Sequence, residues 1–193
     1  MSHTGVPMQT VEGGSAVDLL QSRHVLFLVI SRRTKAYCLW KYNRLTLSFR
    51  HYHSSAHECM VVLTGTARIR FGVADLSAGD TLTGKEEGGV EIEASPGDVF
   101  ILPAGTAHKT FNTVPESSLK LLTPGDGHGV DHESLKAVEL EGFTMMGAYP
   151  EGSVWDFAVG GESKGAYQEV WSIEKPEMDP VLGDQAGGLC ELW

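Results

Sequence analysis

Short apolar segments separated by glycine and proline turns set the fold class of this chain. They are of strand length, rich in β-branched and aromatic side chains, and many alternate apolar with polar positions. This pattern predicts an all-β protein of the sandwich and barrel class, which includes the jelly roll. The predicted strands are 25–30, 36–41, 45–53, 57–63, 66–71, 89–94, 99–102, 108–114, 137–140 and 143–149.

The segments outside these strands predict an arm, a helix and two long loops. Residues 1–15 are rich in Gly, Ser and Thr and predict a flexible arm, and 16–23 predict a short helix. Segments 73–88 and 115–134 are rich in Gly, Ser, Asp and Glu, and loops of this length are often disordered or act as lids. Because 193 residues with 41% hydrophobic side chains suffice for one core, we expect a single domain over 1–193.

The charge of the chain indicates which partners it can bind, and its cysteines indicate the compartment in which it works. Twenty-five acidic against 15 basic residues give a net charge of -10, which disfavours nucleic acids and anionic membranes as partners. The longest apolar run, 25–30, is too short to cross a bilayer, and the first residues lack the features of a secretory signal. Cys38, Cys59 and Cys190 have neither zinc-site spacing nor a paired pattern, which indicates free thiols. We therefore expect a cytoplasmic protein that binds a small molecule.

Two stretches of the chain carry candidate metal ligands. His51 and His53 end a predicted strand, where residues two apart face the same side. Glu58 follows a Ser-Ser-Ala stretch that favours a turn or bulge, so strand parity need not turn its carboxylate away. Farther along, a Ser-Pro-Gly-Asp turn, a buried strand and a Pro-Ala-Gly turn lead to His108. Three imidazoles and a carboxylate form a nitrogen and oxygen set that suits a first-row divalent ion.

These two stretches resemble the two motifs of the cupin superfamily. Residues 51–65 contain its two His, its Glu and its closing Gly, and 97–112 contain its Gly, Pro, Gly, His and Asn. Residues 147–152, with Trp155 and Asp156, resemble the tail of the YjlB-like subgroup of single-domain cupins. The resemblance implies a cupin-type double-stranded β-helix, a jelly-roll barrel with short helices and long loops. Within it, 45–114 would form the metal-binding core, 115–134 an insertion loop, and 139–193 the closing strand and C-terminal tail.

The resemblance also implies the metal ligands, which are His51, His53, Glu58 and His108. Four protein ligands leave an octahedral ion two open positions, where water, a chelating substrate or dioxygen can bind. The ion implied is one divalent transition metal, namely Fe, Mn, Ni, Co or Zn. Because cupins often pair through edge strands, the resemblance further implies a homodimer.

His57 allows three interpretations. It occupies the position of the carboxylate in a shorter-spaced variant of the first motif, so it could replace Glu58 or His53 as a ligand. It could instead lie beside the site as a general base, or face outward. We favour the position beside the site, which makes His57 and Glu58 the catalytic candidates. His128 and His132, in the predicted insertion loop, are expected to be exposed, with a lid position as the alternative.

Strand parity also predicts the residues that surround the metal. Apolar side chains on the faces of the ligands would either wall a small-molecule pocket or simply fill the core. Tyr149 and Trp155 carry polar hydrogens that need partners when buried. Asn112 shares the parity of His108, although a structural contact in a turn is an equal alternative. The candidate pocket residues are Phe49, Met60, Asn112, Tyr149 and Trp155.

The predicted function is that of a metal-dependent cupin enzyme acting on a small, oxygen-rich, metal-chelating metabolite. Fe or Mn would support oxygenase-type chemistry, and Ni, Co or Zn would support isomerase or lyase chemistry. The alternative is a cupin that binds a metal or a small molecule without turnover. A third hypothesis is a structural barrel that keeps an incidental metal.

Overall fold

The computed structural model of the chain describes residues 36–41, 51–73, 88–116, 120–122, 138, 140, 142–150, 152–154, 156–159, 165–184 and 186, with the backbone alone over 36–41. The strands are β1 (Ala36–Lys41), β2 (Glu58–Thr64), β3 (Thr66–Phe71), β4 (Val90–Ala94), β5 (Val99–Leu102), β6 (His108–Val114), β7 (Lys120–Leu121) and β8 (Thr144–Tyr149). A short helix, α1 (Tyr167–Trp171), follows them.

The strands form two antiparallel sheets. One has the order β5-β2-β8-β1-β7 and the other the order β4-β3-β6. Some neighbouring strands in a sheet are distant in sequence, as with β2 and β8. The sheets are therefore held together by long-range strand pairing. This arrangement confirms the predicted all-β jelly-roll fold.

The alternating side chains of β2 explain why both of its faces are buried. Met60 and Val62 point between the two sheets, where they pack in one cluster with Ile69 of β3 and Met145 of β8. The intervening residues, such as Val61, belong to a second cluster on the opposite face of the larger sheet. Since Glu58 has the parity of the first set, β2 aims its carboxylate at the space between the sheets.

Gly65 is the corner at which the chain leaves one sheet for the other. It lies between β2 and β3 with φ of 70°, a left-handed conformation that glycine adopts without strain. A Cβ at this position would lie 2.7 Å from the carbonyl oxygen of Val114 and 2.8 Å from Cα of Phe143. Any side chain at position 65 would therefore clash with the backbone.

A bulge in β6 moves Asn112 off the inward face. The register against β3 shifts between the pairs Thr66–Val114 and Arg68–Phe111, which leaves an extra residue on β6. Asn112 occupies this bulge with φ of 51° and is exposed. The parity that predicted an inward Asn112 therefore ends at the bulge.

Most predicted strands within the described residues are confirmed. Four have both predicted bounds, namely Ala36–Lys41, Thr66–Phe71, Val99–Leu102 and His108–Val114. Two begin one residue later than predicted, namely Val90–Ala94 and Thr144–Tyr149, and Glu58–Thr64 is shifted by one residue at both ends. The predicted arm, the helix over 16–23, strand 25–30 and most of strand 45–53 lie outside the described residues.

Three segments differ from the prediction. The predicted strand 137–140 is described only at Val138 and Leu140, and neither residue is in a strand. Val138 packs against the hydrophobic cluster on the face of the larger sheet that points away from the smaller sheet. Strand β7 lies inside the predicted insertion loop and pairs with β1. Helix α1 was not predicted, because five residues are too short for a clear helical period. No helix in the described part of the chain has the length and hydropathy needed to cross a lipid bilayer.

We expect Gly65→Ala to lower the free energy of unfolding by more than about 2 kcal/mol, because it combines a strained φ with a backbone clash. Urea unfolding followed by circular dichroism measures the loss. The matched control is Gly97→Ala, where φ is 100° but no atom lies within 4 Å of the added Cβ. Equal losses in the two variants would show that the corner tolerates a side chain.

Candidate metal centre

Backbone pairing brings the two histidine-bearing stretches together. His51 and His108 form an antiparallel bridge in which the N–H of His108 donates to the carbonyl of His51 at 2.8 Å, and the N–H of His51 donates back at 3.3 Å. Their ring centroids lie 4.5 Å apart. The ring of His53, two residues along, is 5.3 Å from that of His51. Positions more than fifty residues apart in sequence thus form one cluster.

The three imidazoles form a buried group that fits a divalent metal. One ring nitrogen each from His51, His53 and His108 lies within 4.8 Å of the other two, and the residues are exposed by only 9%, 4% and 4%. Neutral imidazoles are common ligands of first-row transition metals. The predicted convergence of these three residues is confirmed.

Hydrogen bonds orient two of the rings for ligation. Nδ1–H of His53 donates to the carbonyl of Asp156, and Nδ1–H of His108 donates to the carbonyl of Thr106 at 3.2 Å. Fixing the proton on Nδ1 leaves the Nε2 lone pair as the ligand, which is the usual arrangement around a metal-bound histidine. Backbone carbonyls therefore select the tautomer at both residues.

Glu58 lies between these rings, and its two oxygens have different partners. Oε2 is 3.2 Å from Nε2 of His53 and 3.4 Å from Nε2 of His108. Oε1 accepts a hydrogen bond from the hydroxyl of Tyr149 at 2.9 Å, and that hydroxyl is 3.4 Å from Nε2 of His53. The tyrosine thus holds one oxygen while the other faces the ring nitrogens.

The electrostatics of the cluster favour a cation beside Glu58. Burial disfavours the ionised carboxylate, but the charge and hydrogen bond of His53, with the charges of His108 and His51, hold the pKa of Glu58 at about 2. Burial also disfavours a protonated His53, yet Glu58 and the Asp156 carbonyl outweigh it and raise the pKa of His53. Burial prevails at His108, whose pKa is lowered. A metal ion would supply the positive charge that a proton on His53 otherwise provides.

A segment that follows β8 covers the cluster. The carboxylate of Asp156 accepts hydrogen bonds from the backbone N–H of Ser54 at 2.7 Å and from its hydroxyl at 2.6 Å. Tyr52 and Ala158 exchange two backbone hydrogen bonds of 2.9 Å. Between them, the ring of Phe157 lies 4.7 Å from that of His51. We call residues 156–158 the strap.

The sequence does not predict that the strap is part of the site. Asp156 only resembles a residue of the subgroup tail, and Phe157 belongs to no motif. The available signal is Ser54, a polar residue directly after the histidines that needs hydrogen-bond partners once it is partly buried. Nothing in the sequence says that those partners lie a hundred residues away.

The ring of His57 is hydrogen-bonded to backbone groups through both of its nitrogens. Its Nδ1 accepts a hydrogen bond from the N–H of Ala104 at 2.9 Å, and its Nε2–H donates to the carbonyl of Glu174 at 3.1 Å. Both ring nitrogens are therefore engaged by backbone groups from two other segments, and His57 is outside the group of three imidazoles. These contacts fix the ring between two segments, and the proton-transfer role of His57 stays a prediction.

The remaining candidate residues have different positions. Met60 is buried in the cluster between the sheets, two residues beyond Glu58 on the same face of β2. Asn112 is exposed in its bulge. Phe49 and Trp155, together with His128 and His132, lie outside the described residues.

Gly147 on β8 provides the space for the pair formed by Glu58 and Tyr149. A Cβ added there would lie 2.7 Å from Oε1 of Glu58 and 3.2 Å from the hydroxyl of Tyr149. Ordinary side-chain contacts with a Cβ are longer, so the carboxylate would have to move. Position 147 therefore requires glycine because a side chain there would collide with the Glu58 carboxylate.

We expect Gly147→Ala to fold and to weaken metal binding by about tenfold or more, since displacing a hydrogen-bonded carboxylate disturbs the ligand set. Metal titration by calorimetry measures the change. The control is Ala148→Gly, which alters the opposite face of β8 and should leave the metal affinity within about twofold while costing about 1 kcal/mol of stability. Wild-type metal affinity in Gly147→Ala would contradict the assignment.

Comparison with known proteins agrees with this fold and site. The family model described as Cupin matches residues 42–134, a range that contains all four predicted ligands. An uncharacterized protein of Bacillus subtilis (strain 168), YjlB, is 27% identical over 147 residues, which are 75% of this chain and 65% of that relative. The match thus spans less than two thirds of the relative's length. The family match, the two antiparallel sheets and the motif residues all agree, and the chain is therefore similar to proteins of the cupin superfamily and to YjlB.

Proposed function

We propose that this chain is a metal-dependent enzyme that binds a small, oxygen-rich, chelating metabolite. The observation that carries the proposal is the convergence of three buried imidazoles on one side of a buried carboxylate. His51, His53 and His108 would hold the ion, with Oε2 of Glu58 as the fourth ligand. Such an ion acts as a Lewis acid on the oxygens of a chelated substrate.

The protein's own part in the chemistry lies with Glu58 and Tyr149. Because His57 is engaged by backbone groups, the polar hydrogen best placed for proton transfer is that of the Tyr149 hydroxyl, which is shared with Oε1 of Glu58. A substrate oxygen near Nε2 of His53 would lie within reach of this hydroxyl. We propose that Tyr149 holds a proton there and that Glu58 accepts or returns it.

The identity of the metal would decide the reaction class. Fe or Mn with open coordination positions supports oxygenase-type chemistry, and Ni, Co or Zn supports isomerase or lyase chemistry. A first experiment therefore measures the metal content of protein purified without an affinity tag. Oxygen-dependent turnover of chelating acids and ketones is then screened for Fe or Mn, and oxygen-independent conversion for the others.

We expect about one metal ion per chain in the wild type and a loss of at least about tenfold in metal affinity in His108→Ala, since one of three imidazole ligands is removed. Elemental analysis and metal titration measure both. Lys109→Ala, the next residue of β6, is the matched control and should keep the metal. Full occupancy in a folded His108→Ala protein would rule out the proposed ligand set.

We expect Tyr149→Phe to retain its metal but to lower kcat by about 10²-fold or more for any substrate the screen identifies, as for the loss of a general acid. The pH dependence of kcat should change as well, because the proton shared with Glu58 is gone. A variant with metal and an unaltered kcat profile would contradict the proton-transfer role. Metal binding without turnover of any chelator would favour the non-catalytic cupin.

A further inference from the structure

Phe157 is an exposed aromatic ring in contact with buried metal-binding histidines. Its ring centroid lies 4.7 Å from that of His51 and 5.6 Å from that of His53. The two histidines are buried, whereas Phe157 is 45% exposed. One part of the phenyl ring therefore packs on the imidazoles and another part is exposed to solvent.

The backbone on both sides of Phe157 is fixed to the histidine stretch. The preceding residue, Asp156, accepts hydrogen bonds from the ring of His53 and from the N–H and hydroxyl of Ser54. The following residue, Ala158, exchanges two hydrogen bonds with Tyr52. Because these contacts come from the same stretch that bears the ligands, the position of Phe157 is tied to that of the metal centre.

The histidines that Phe157 contacts join an apolar ring to a polar interior. On the inner side, the Glu58 carboxylate lies 3.2 Å from Nε2 of His53 and accepts a hydrogen bond from the Tyr149 hydroxyl. Outside is the phenyl face, which can offer only apolar and aromatic contact. A ligand that satisfies both parts needs chelating oxygens at one end and a flat apolar group directly beside them.

We propose that Phe157 is a specificity-determining residue that selects chelators carrying an aromatic or conjugated ring next to their metal-binding oxygens. The oxygens point toward the three imidazoles and the ring of the ligand packs on the exposed part of Phe157. This inference rests on the proposed metal function and adds a substrate class to it, namely aromatic hydroxy acids and related phenolic chelators.

The test compares two chelators on the Co(II)-loaded full chain. Salicylate and 3-hydroxybutyrate both bind a metal through a carboxylate and a hydroxyl in a six-membered chelate ring, but only salicylate is aromatic. Their affinities are measured from the visible spectrum of Co(II) for the wild type, Phe157→Ala, Phe157→Leu and Phe157→Tyr. Val154→Ala, which shortens another exposed apolar side chain of the same region, is the control.

We expect Phe157→Ala to weaken salicylate binding by about three- to tenfold, as the loss of one aromatic pair does, and to change 3-hydroxybutyrate binding by less than about twofold. Phe157→Tyr should keep the wild-type ratio of the two affinities, and Phe157→Leu should lose it in part. Val154→Ala should keep both affinities.

Two results would overturn the proposal, and they differ from each other. If Phe157→Ala changes the two affinities by the same factor, or changes neither, the ring only shields the histidines and does not select the ligand. If the folded wild type takes up no Co(II), the proposed metal function fails and this inference fails with it. Metal content is measured for each variant before the titrations, and Phe157→Tyr tests the ring should Phe157→Ala lose its metal.

Discussion

A buried carboxylate that needs a positive partner is the constraint on which the rest of this site depends. Glu58 is only 7% exposed, and burial alone would favour its neutral form. The ionised form is favoured because the charges of the three imidazoles and the hydrogen bond with His53 outweigh burial and lower the pKa of Glu58. A divalent ion would satisfy the same requirement more completely, since it would bind several of these groups at once. A metal bound here would therefore also offset the cost of burying the carboxylate.

The strands are what make this arrangement precise. Glu58 begins β2 and Tyr149 ends β8, and these strands are adjacent in the sheet, so the ladder itself brings phenol and carboxylate together. Gly147 keeps the intervening space open. His51, in contrast, comes from a short bridge beside β6, and its stretch is held by the strap through side-chain and backbone hydrogen bonds. Rigid ladders and a hydrogen-bonded strap therefore divide the task of positioning the ligands.

Two histidines four residues apart, His53 and His57, differ in their hydrogen-bond partners and therefore in whether a ring nitrogen can bind a metal. His53 gives one nitrogen to a backbone carbonyl and keeps the other facing Glu58. His57 gives both nitrogens to backbone groups, those of Ala104 and Glu174. The first is available to a cation and the second ties loops together, although both are buried. Residue type and spacing alone do not distinguish these roles, because each hydrogen-bond partner comes from a distant segment.

The sequence by itself determined the strand pattern and the two stretches that resemble the cupin motifs, because alternation, turn residues and short motifs are local properties. The resemblance to those motifs implied that His51, His53 and His108 share one site, and the bridge between His51 and His108 brings them together. Only the tertiary structure decided what depends on contacts between distant segments. It placed Asn112 in a bulge, where a register shift ends the parity rule. It also joined His57 to backbone groups of distant segments and packed Phe157 against the ring of His51. These positions depend on which segments contact each other after folding. A local sequence pattern does not indicate contacts with residues a hundred positions away.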